Sequence, residues 1–176
     1  MSTILVTGFS NFGKINNNPS EILVNLLKQK YADKIDTYIF KSYKDIDCNL
    51  TQLLNKSPKI VVMFGLASRT PYVRLEQIAK KPNNVSSSVE FYKNKLPLEK
   101  IYTELLKNNI AVAYSKDAGN YWCNYLFYKV SSLRNNKNHY SQGLIHIPQP
   151  NRYNKANGDE LNLLDFGSIL INTLLK

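Results

Sequence analysis

At 176 residues with 43% hydrophobic side chains, the chain suits one compact domain, residues 1–176, and no apolar run approaches the roughly 20 residues of a membrane span. Its balance of 23 Lys and Arg against 13 Asp and Glu, net +10, favours polyanions in general. Only four of those cations are Arg, however, and lysines scattered among asparagines make a solvated surface rather than a specific nucleic-acid site.

The chain opens with a strand-like run from Thr3 to Thr7, with no basic n-region or cleavage pattern before it, so a cytoplasmic, reducing setting is expected. The following loop, Gly8 to Gly13, lacks the spacing of a phosphate-binding motif. It carries Phe9 and Phe12, which serve either as core filling or as an aromatic wall at the carboxyl end of the first strand, where open α/β sheets bind ligands. Asn18 caps a helix that starts at Pro19, with Ile22, Leu23, Leu26 and Leu27 at helical spacing. A second strand is expected at Ile35 to Phe40 and a helix at Asp47 to Asn55. Lys59 to Phe64 reads as a strand buried on both faces and stopped by Gly65.

Val73 to Ala79 alternates as one strand and places Arg74, Glu76 and Ile78 on a common face. A lone Glu there is by default a solvated edge residue or the partner of Arg74 or a Lys. Lys80 to Asn94 is polar and aperiodic and reads as a loop. An amphipathic helix follows from Pro97 to Asn109, then a short strand from Ala111 to Tyr114. Next come a turn rich in Ser, Asp, Gly and Asn and a helix from Tyr121 to Val130, with Cys123 in its first turn. Beyond it lie a strand from Gly143 to Pro148 that carries His146, and a closing helix from Gly158 to Lys176. The alternation of strands and helices points to an α/β sandwich.

The position of Cys123 points to chemistry. The first turn of a helix leaves backbone N–H groups unpaired and carries a partial positive charge, which favours a thiolate and can hold the oxygen of a tetrahedral intermediate. A lone cysteine beside aromatics is otherwise a small buried hydrophobe, the reading given to Cys48, which is alternatively a harmless thiol. The two cysteines lack metal-type spacing, and neither a metal nor a cofactor is expected. Glu76, Cys123 and His146 all lie at or beside strand ends. A thiol peptidase needs that set: imidazole takes the thiol proton and returns it to the leaving amine, and carboxylate fixes the imidazole tautomer. His139, in an Asn/Lys loop, is the poorer base.

Several blocks resemble the pyroglutamyl peptidase I family: Ile4-Leu5-Val6-Thr7-Gly8-Phe9 with Phe12-Gly13, Asn18-Pro19-Ser20, Gly65-Leu66-Ala67, and Leu75-Glu76-Gln77-Ile78-Ala79. The resemblance continues through Ser115, Ala118-Gly119, Tyr121, Cys123-Asn124-Tyr125-Leu126-Phe127-Tyr128 and Ile145-His146-Ile147-Pro148. It implies a three-layer α/β/α sandwich with a mixed, mostly parallel central sheet. It also implies a cysteine peptidase that removes N-terminal pyroglutamyl residues from peptides through a thioester, with a homo-oligomer, a dimer or tetramer, as its expected state. Cys123 matches the nucleophile, His146 the base and acid, and Glu76 its orienting carboxylate. Phe9, Phe12, Asn18, Leu66, Tyr121 and Trp122 match positions around the substrate. The chain departs from the family in Gln77, in the bulk of Trp122 and in a shortened stretch between Glu76 and Cys123. Two alternatives follow: a homologue with an altered pocket, and a basic polyanion-binding module.

Overall fold

A computed structural model describes residues 3–11, 13, 16–135, 139–158 and 160–176. Its centre is a six-stranded sheet ordered β2-β1-β3-β8-β4-β7. The strands are β1 (Ile4–Phe9), β2 (Ile35–Phe40), β3 (Ile60–Leu66), β4 (Val73–Glu76), β7 (Val112–Ser115) and β8 (Ser141–Ile147). Four neighbouring pairs run parallel, and β4 runs antiparallel to β8, so the sheet is mixed and mostly parallel. β5 (Ile78–Lys80) and β6 (Phe91–Lys93) form a separate antiparallel pair.

Helices cover both faces, because strands with continuous apolar character must bury both sides. On one face α1 (Pro19–Lys30), α3 (Leu98–Lys107), α5 (Pro150–Asn157) and α6 (Leu163–Leu175) pack over Ile4, Val6, Val62, Phe64 and Ile145. On the other, α2 (Tyr43–Leu54) and α4 (Trp122–Ser132) pack over Leu5, Val61, Met63 and Leu144. The period-2 alternation of the strands thus sorts the core into two clusters. Among the described residues no helix is long and apolar enough to cross a membrane.

Several local expectations change. β3 does not stop at Gly65 but pairs with β8 through Leu66. The run after Val73 is two strands, not one: β4 ends at Glu76, and past Gln77 the chain leaves the main sheet to pair with Phe91–Lys93, so part of the expected polar loop is hydrogen-bonded strand. α2 begins four residues early because Ser42 accepts from the Asp45 N–H, a side-chain cap inside a weakly apolar stretch. The closing helix, expected from Gly158, begins only at Leu163, and a further helix that was not expected precedes it. Pro150 starts α5, Gly158 ends it with φ of +77°, and Asn162 caps α6. Cys48 is exposed on α2, so of its two readings the buried hydrophobe falls and the harmless thiol stays open.

Candidate active site

The site forms where β4 and β8 run against each other. In that pair Arg74 lies opposite His146, and alternation puts Arg74, Glu76 and His146 on the face covered by α4. Glu76 is fully buried, and a buried carboxylate needs partners. His146 Nδ1 donates to Glu76 Oε1 at 2.7 Å, and Arg74 Nε reaches the same oxygen at 3.0 Å. Glu76 Oε2 is buried with no hydrogen-bond partner among the described residues. The carboxylate at Nδ1 assigns the ring proton there and leaves Nε2 to face the thiol.

α4 supplies that thiol. Its N-cap, Tyr121, offers no side-chain acceptor, so the first-turn N–H groups are not capped by a side chain. The next residue but two, Asn124, fastens the helix start to β5: its side chain accepts from the Lys80 N–H at 2.9 Å and donates to the Lys80 carbonyl at 2.8 Å. Cys123 is held between these anchors, partly exposed. A methyl group built on Gly65 would lie 2.7 Å from Cys123 Sγ, 2.9 Å from His146 Cδ2 and 3.1 Å from His146 Nε2. Sulfur and imidazole therefore border one small space that Gly65 leaves open.

Electrostatics follow from that packing. Burial pulls the His146 pKa down, but hydrogen bonds with Cys123 and Glu76 outweigh it and raise the imidazole to about 9. The imidazolium is thus the form that the Glu76 carboxylate favours.

Cys123 and His146 open on a cleft of about 520 Å³, lined also by Leu66, Arg69, Arg74, Asp117 and Tyr121. Of the side chains expected around a substrate, Leu66 and Tyr121 line it, and Tyr121 is 78% exposed. Phe9 and Asn18 are buried. Phe9 stacks at an angle on Trp122, with ring centroids 6.3 Å apart, and Trp122 meets Tyr43 edge-on. The Asn18 side chain accepts from the Ser20 N–H and hydroxyl and donates to the Ser10 carbonyl, so it holds the start of α1. Phe12 lies outside the described residues. His139 faces Arg134 instead of the cleft. Among the described residues no group of three or more His, Cys, Asp or Glu is placed to hold a metal ion.

Two residues were not singled out from sequence. Gly65 reads from sequence as a strand stop, although a glycine inside a strand is itself a sign of close approach. Arg74 was read only as a neighbour of Glu76, yet its guanidinium also bonds the Ser115 hydroxyl and the Asp117 carbonyl, tying the carboxylate to the loop that leads into Cys123.

A family model described as pyroglutamyl peptidase matches residues 2–159. The chain is 32% identical over 169 residues to the pyrrolidone-carboxylate peptidase of Coprothermobacter proteolyticus, covering 84% of this chain and 82% of that protein. It is 30% identical over 171 residues to that of Fusobacterium nucleatum, covering 84% and 78%. Among solved structures, pyroglutamyl peptidase I from Bacillus amyloliquefaciens superposes with a TM-score of 0.83 at 25% identity, over 99% of this chain and 96% of that one. The pyrrolidone carboxyl peptidase from Thermococcus litoralis shares the fold, with a TM-score of 0.81 at 24% identity over 99% and 94%.

Proposed function

Because the chain belongs to the pyroglutamyl peptidase family, we propose that it removes the N-terminal pyroglutamyl residue of peptides by thiol catalysis, with Cys123, His146 and Glu76 as nucleophile, base and orienting carboxylate. The observation that carries the reading is the meeting of Cys123 Sγ and His146 Nε2 at the space beside Gly65, while His146 Nδ1 donates to Glu76.

With the thiol proton on His146, the Cys123 sulfur attacks the carbonyl carbon of the scissile amide. Negative charge then moves to the carbonyl oxygen, where first-turn N–H groups of α4 can receive it. Collapse of that intermediate breaks the C–N bond, and the His146 imidazolium gives its proton to the departing amine. A thioester on Cys123 is left. Neutral His146 then takes a proton from water, hydroxide adds to the thioester, and the sulfur leaves as pyroglutamic acid is released. Glu76 faces the imidazolium throughout and keeps the ring oriented. A reducing compartment, which keeps Cys123 as a free thiol, suits this chemistry.

Fluorophore release from a pyroglutamyl amide tests the reading. Loss of turnover in both Cys123→Ser and His146→Ala supports it, and undiminished turnover in Cys123→Ser refutes it. The packing of Trp122 against the buried Phe9 favours a second reading, the same chemistry on a different N-terminal group. Comparison of pyroglutamyl, prolyl and glutaminyl amides, before and after Trp122→Val, separates the two.

A further inference from the structure

We infer that the site selects peptides with acidic side chains immediately beyond the bond that is cut, through a cationic groove formed by Arg69, Arg152 and Lys155. The inference rests on the peptidase reading and specifies which peptides it concerns.

The argument begins with room. A cleft of about 520 Å³ belongs to the size class that holds drug-sized ligands, far more than one five-membered lactam fills. The remainder must accommodate chain beyond the scissile bond. The amine that departs takes its proton from His146, so the leaving peptide lies on the His146 side of the cleft. The end of β3 borders that side, since Gly65 pairs with His146 and the Ala67 N–H donates to the Ile147 carbonyl, and the loop that follows brings Ser68 and Arg69 to the cleft. Ser68 also lines a neighbouring cavity of about 870 Å³, to which α5 contributes Arg152 and Lys155. α5 begins three residues after β8 ends, so the strand that carries His146 leads directly into the helix that carries these cations.

Charge gives the groove its sign. Three of the chain's four arginines line these two cavities: Arg69, Arg74 and Arg152. Arg74 is occupied by Glu76. Arg69, Arg152 and Lys155 are exposed and make no ion pair among the described residues. Asp117 is the one acidic side chain among the described residues lining either cavity, and Lys80 faces it at 3.5 Å. Guanidinium groups suit carboxylates because they bind them in a forked pair of hydrogen bonds. A net charge of +10 adds long-range attraction for acidic peptides. Nucleic acid is the less suitable occupant, because the groove offers three separated cations and starts at a thiol–imidazole pair that a polyanion does not use.

The test compares kcat/KM for pyroglutamyl-Glu-Glu-Ala, pyroglutamyl-Gln-Gln-Ala and pyroglutamyl-Lys-Lys-Ala amides at low and high salt. The acidic peptide should exceed the neutral one by about tenfold at low salt, with the advantage shrinking as salt screens the exposed charges. Arg152→Glu and Arg69→Glu, both at exposed positions, should lower the acidic-to-neutral ratio below one. A second measurement follows fluorescein-labelled versions of the three peptides binding to Cys123→Ser by anisotropy. If no pyroglutamyl peptide is cleaved but the acidic one still binds best, and loses that advantage on Arg152→Glu, the groove assignment stands and the peptidase reading falls. Equal turnover and equal affinity for all three peptides overturn the groove assignment. So does displacement of all three alike by a short RNA with no ranking among them.

Discussion

Gly65 lies directly across from His146 in the parallel pairing of β3 with β8, and a side chain there would occupy the space that the imidazole and the Cys123 sulfur share. Gly65→Ala should therefore damage chemistry more than folding. The nearest atom, Sγ at 2.7 Å, ends a partly exposed side chain that can rotate away, whereas the imidazole edge at 2.9 and 3.1 Å is held by Glu76 and must shift with it. Displacement on the order of 1 Å costs about 100-fold in rate. The expected result is kcat down by about that factor with a thermal transition that stays cooperative. Unchanged kcat would show that the two groups need not meet there.

Arg74 shares Glu76 Oε1 with His146 and also bonds Ser115 and Asp117. Hydrogen bonds to charged groups are worth about 1.5–3 kcal/mol, so Arg74→Gln should lower kcat roughly tenfold or more. Arg74→Lys, which restores charge but not the fork, should recover part of it. A positioning role predicts more than a lower rate. Without the guanidinium, the full carboxylate charge acts on the imidazolium, and the alkaline limit of the pH profile moves upward. A uniform rate loss with an unmoved pH profile would mark Arg74 as structural only.

His146, held up to about 9 against an ordinary value near 6.5, makes activity and stability depend on pH in the same direction. A group whose pKa is raised on folding contributes stability that is complete below the unfolded value and disappears as pH rises through the folded one. Stability should thus decline between about 6.5 and 9, and turnover should fall through about 9 as the proton meant for the leaving amine is lost. NMR titration of the ring reads this directly. Cys123→Ala and Glu76→Gln should each lower the midpoint, since each removes a partner that raises the imidazole. A wild-type midpoint near 6.5 would contradict the ion-paired arrangement.

Asn18→Ala should act on the fold. Its side chain caps α1 and holds Ser10 and Ser20 from a fully buried position. Loss of a cap costs about 1 kcal/mol, and leaving buried groups unsatisfied adds to it, so destabilisation of about 2 kcal/mol is expected by urea unfolding. A change confined to KM, with stability intact, would place Asn18 at the substrate instead.

Legibility differed between fold and site. The strand at Lys59 to Phe64 is readable because the unbroken apolar run Ile60 to Phe64 leaves few other structures open to it, Ile35 to Phe40 because β-branched and aromatic residues dominate it, and Asn18-Pro19 announces a helix start through one cap and one fixed φ. What was not readable depended on neighbours distant in sequence. The break at Gln77 follows from pairing with Phe91–Lys93, and α5 is an eight-residue polar helix with only Tyr153 buried, too weak a stripe to register. At the site, the residue types of Cys123, His146 and Glu76 suggest chemistry, but the tethering of Arg74 and the empty side of Gly65 require the register of four strands.

β8 is the last strand in the sequence, yet it lies in the middle of the sheet, between β3 and β4. Without β8, the β2-β1-β3 block and the β4-β7 pair have no hydrogen-bonded strand between them, and each presents an unzipped border. Until the segment around Ile147 has emerged from the ribosome, the thiol has no imidazole beside it. The proposed thiol–imidazole pair is therefore completed only by a strand inserted between two earlier-made edges.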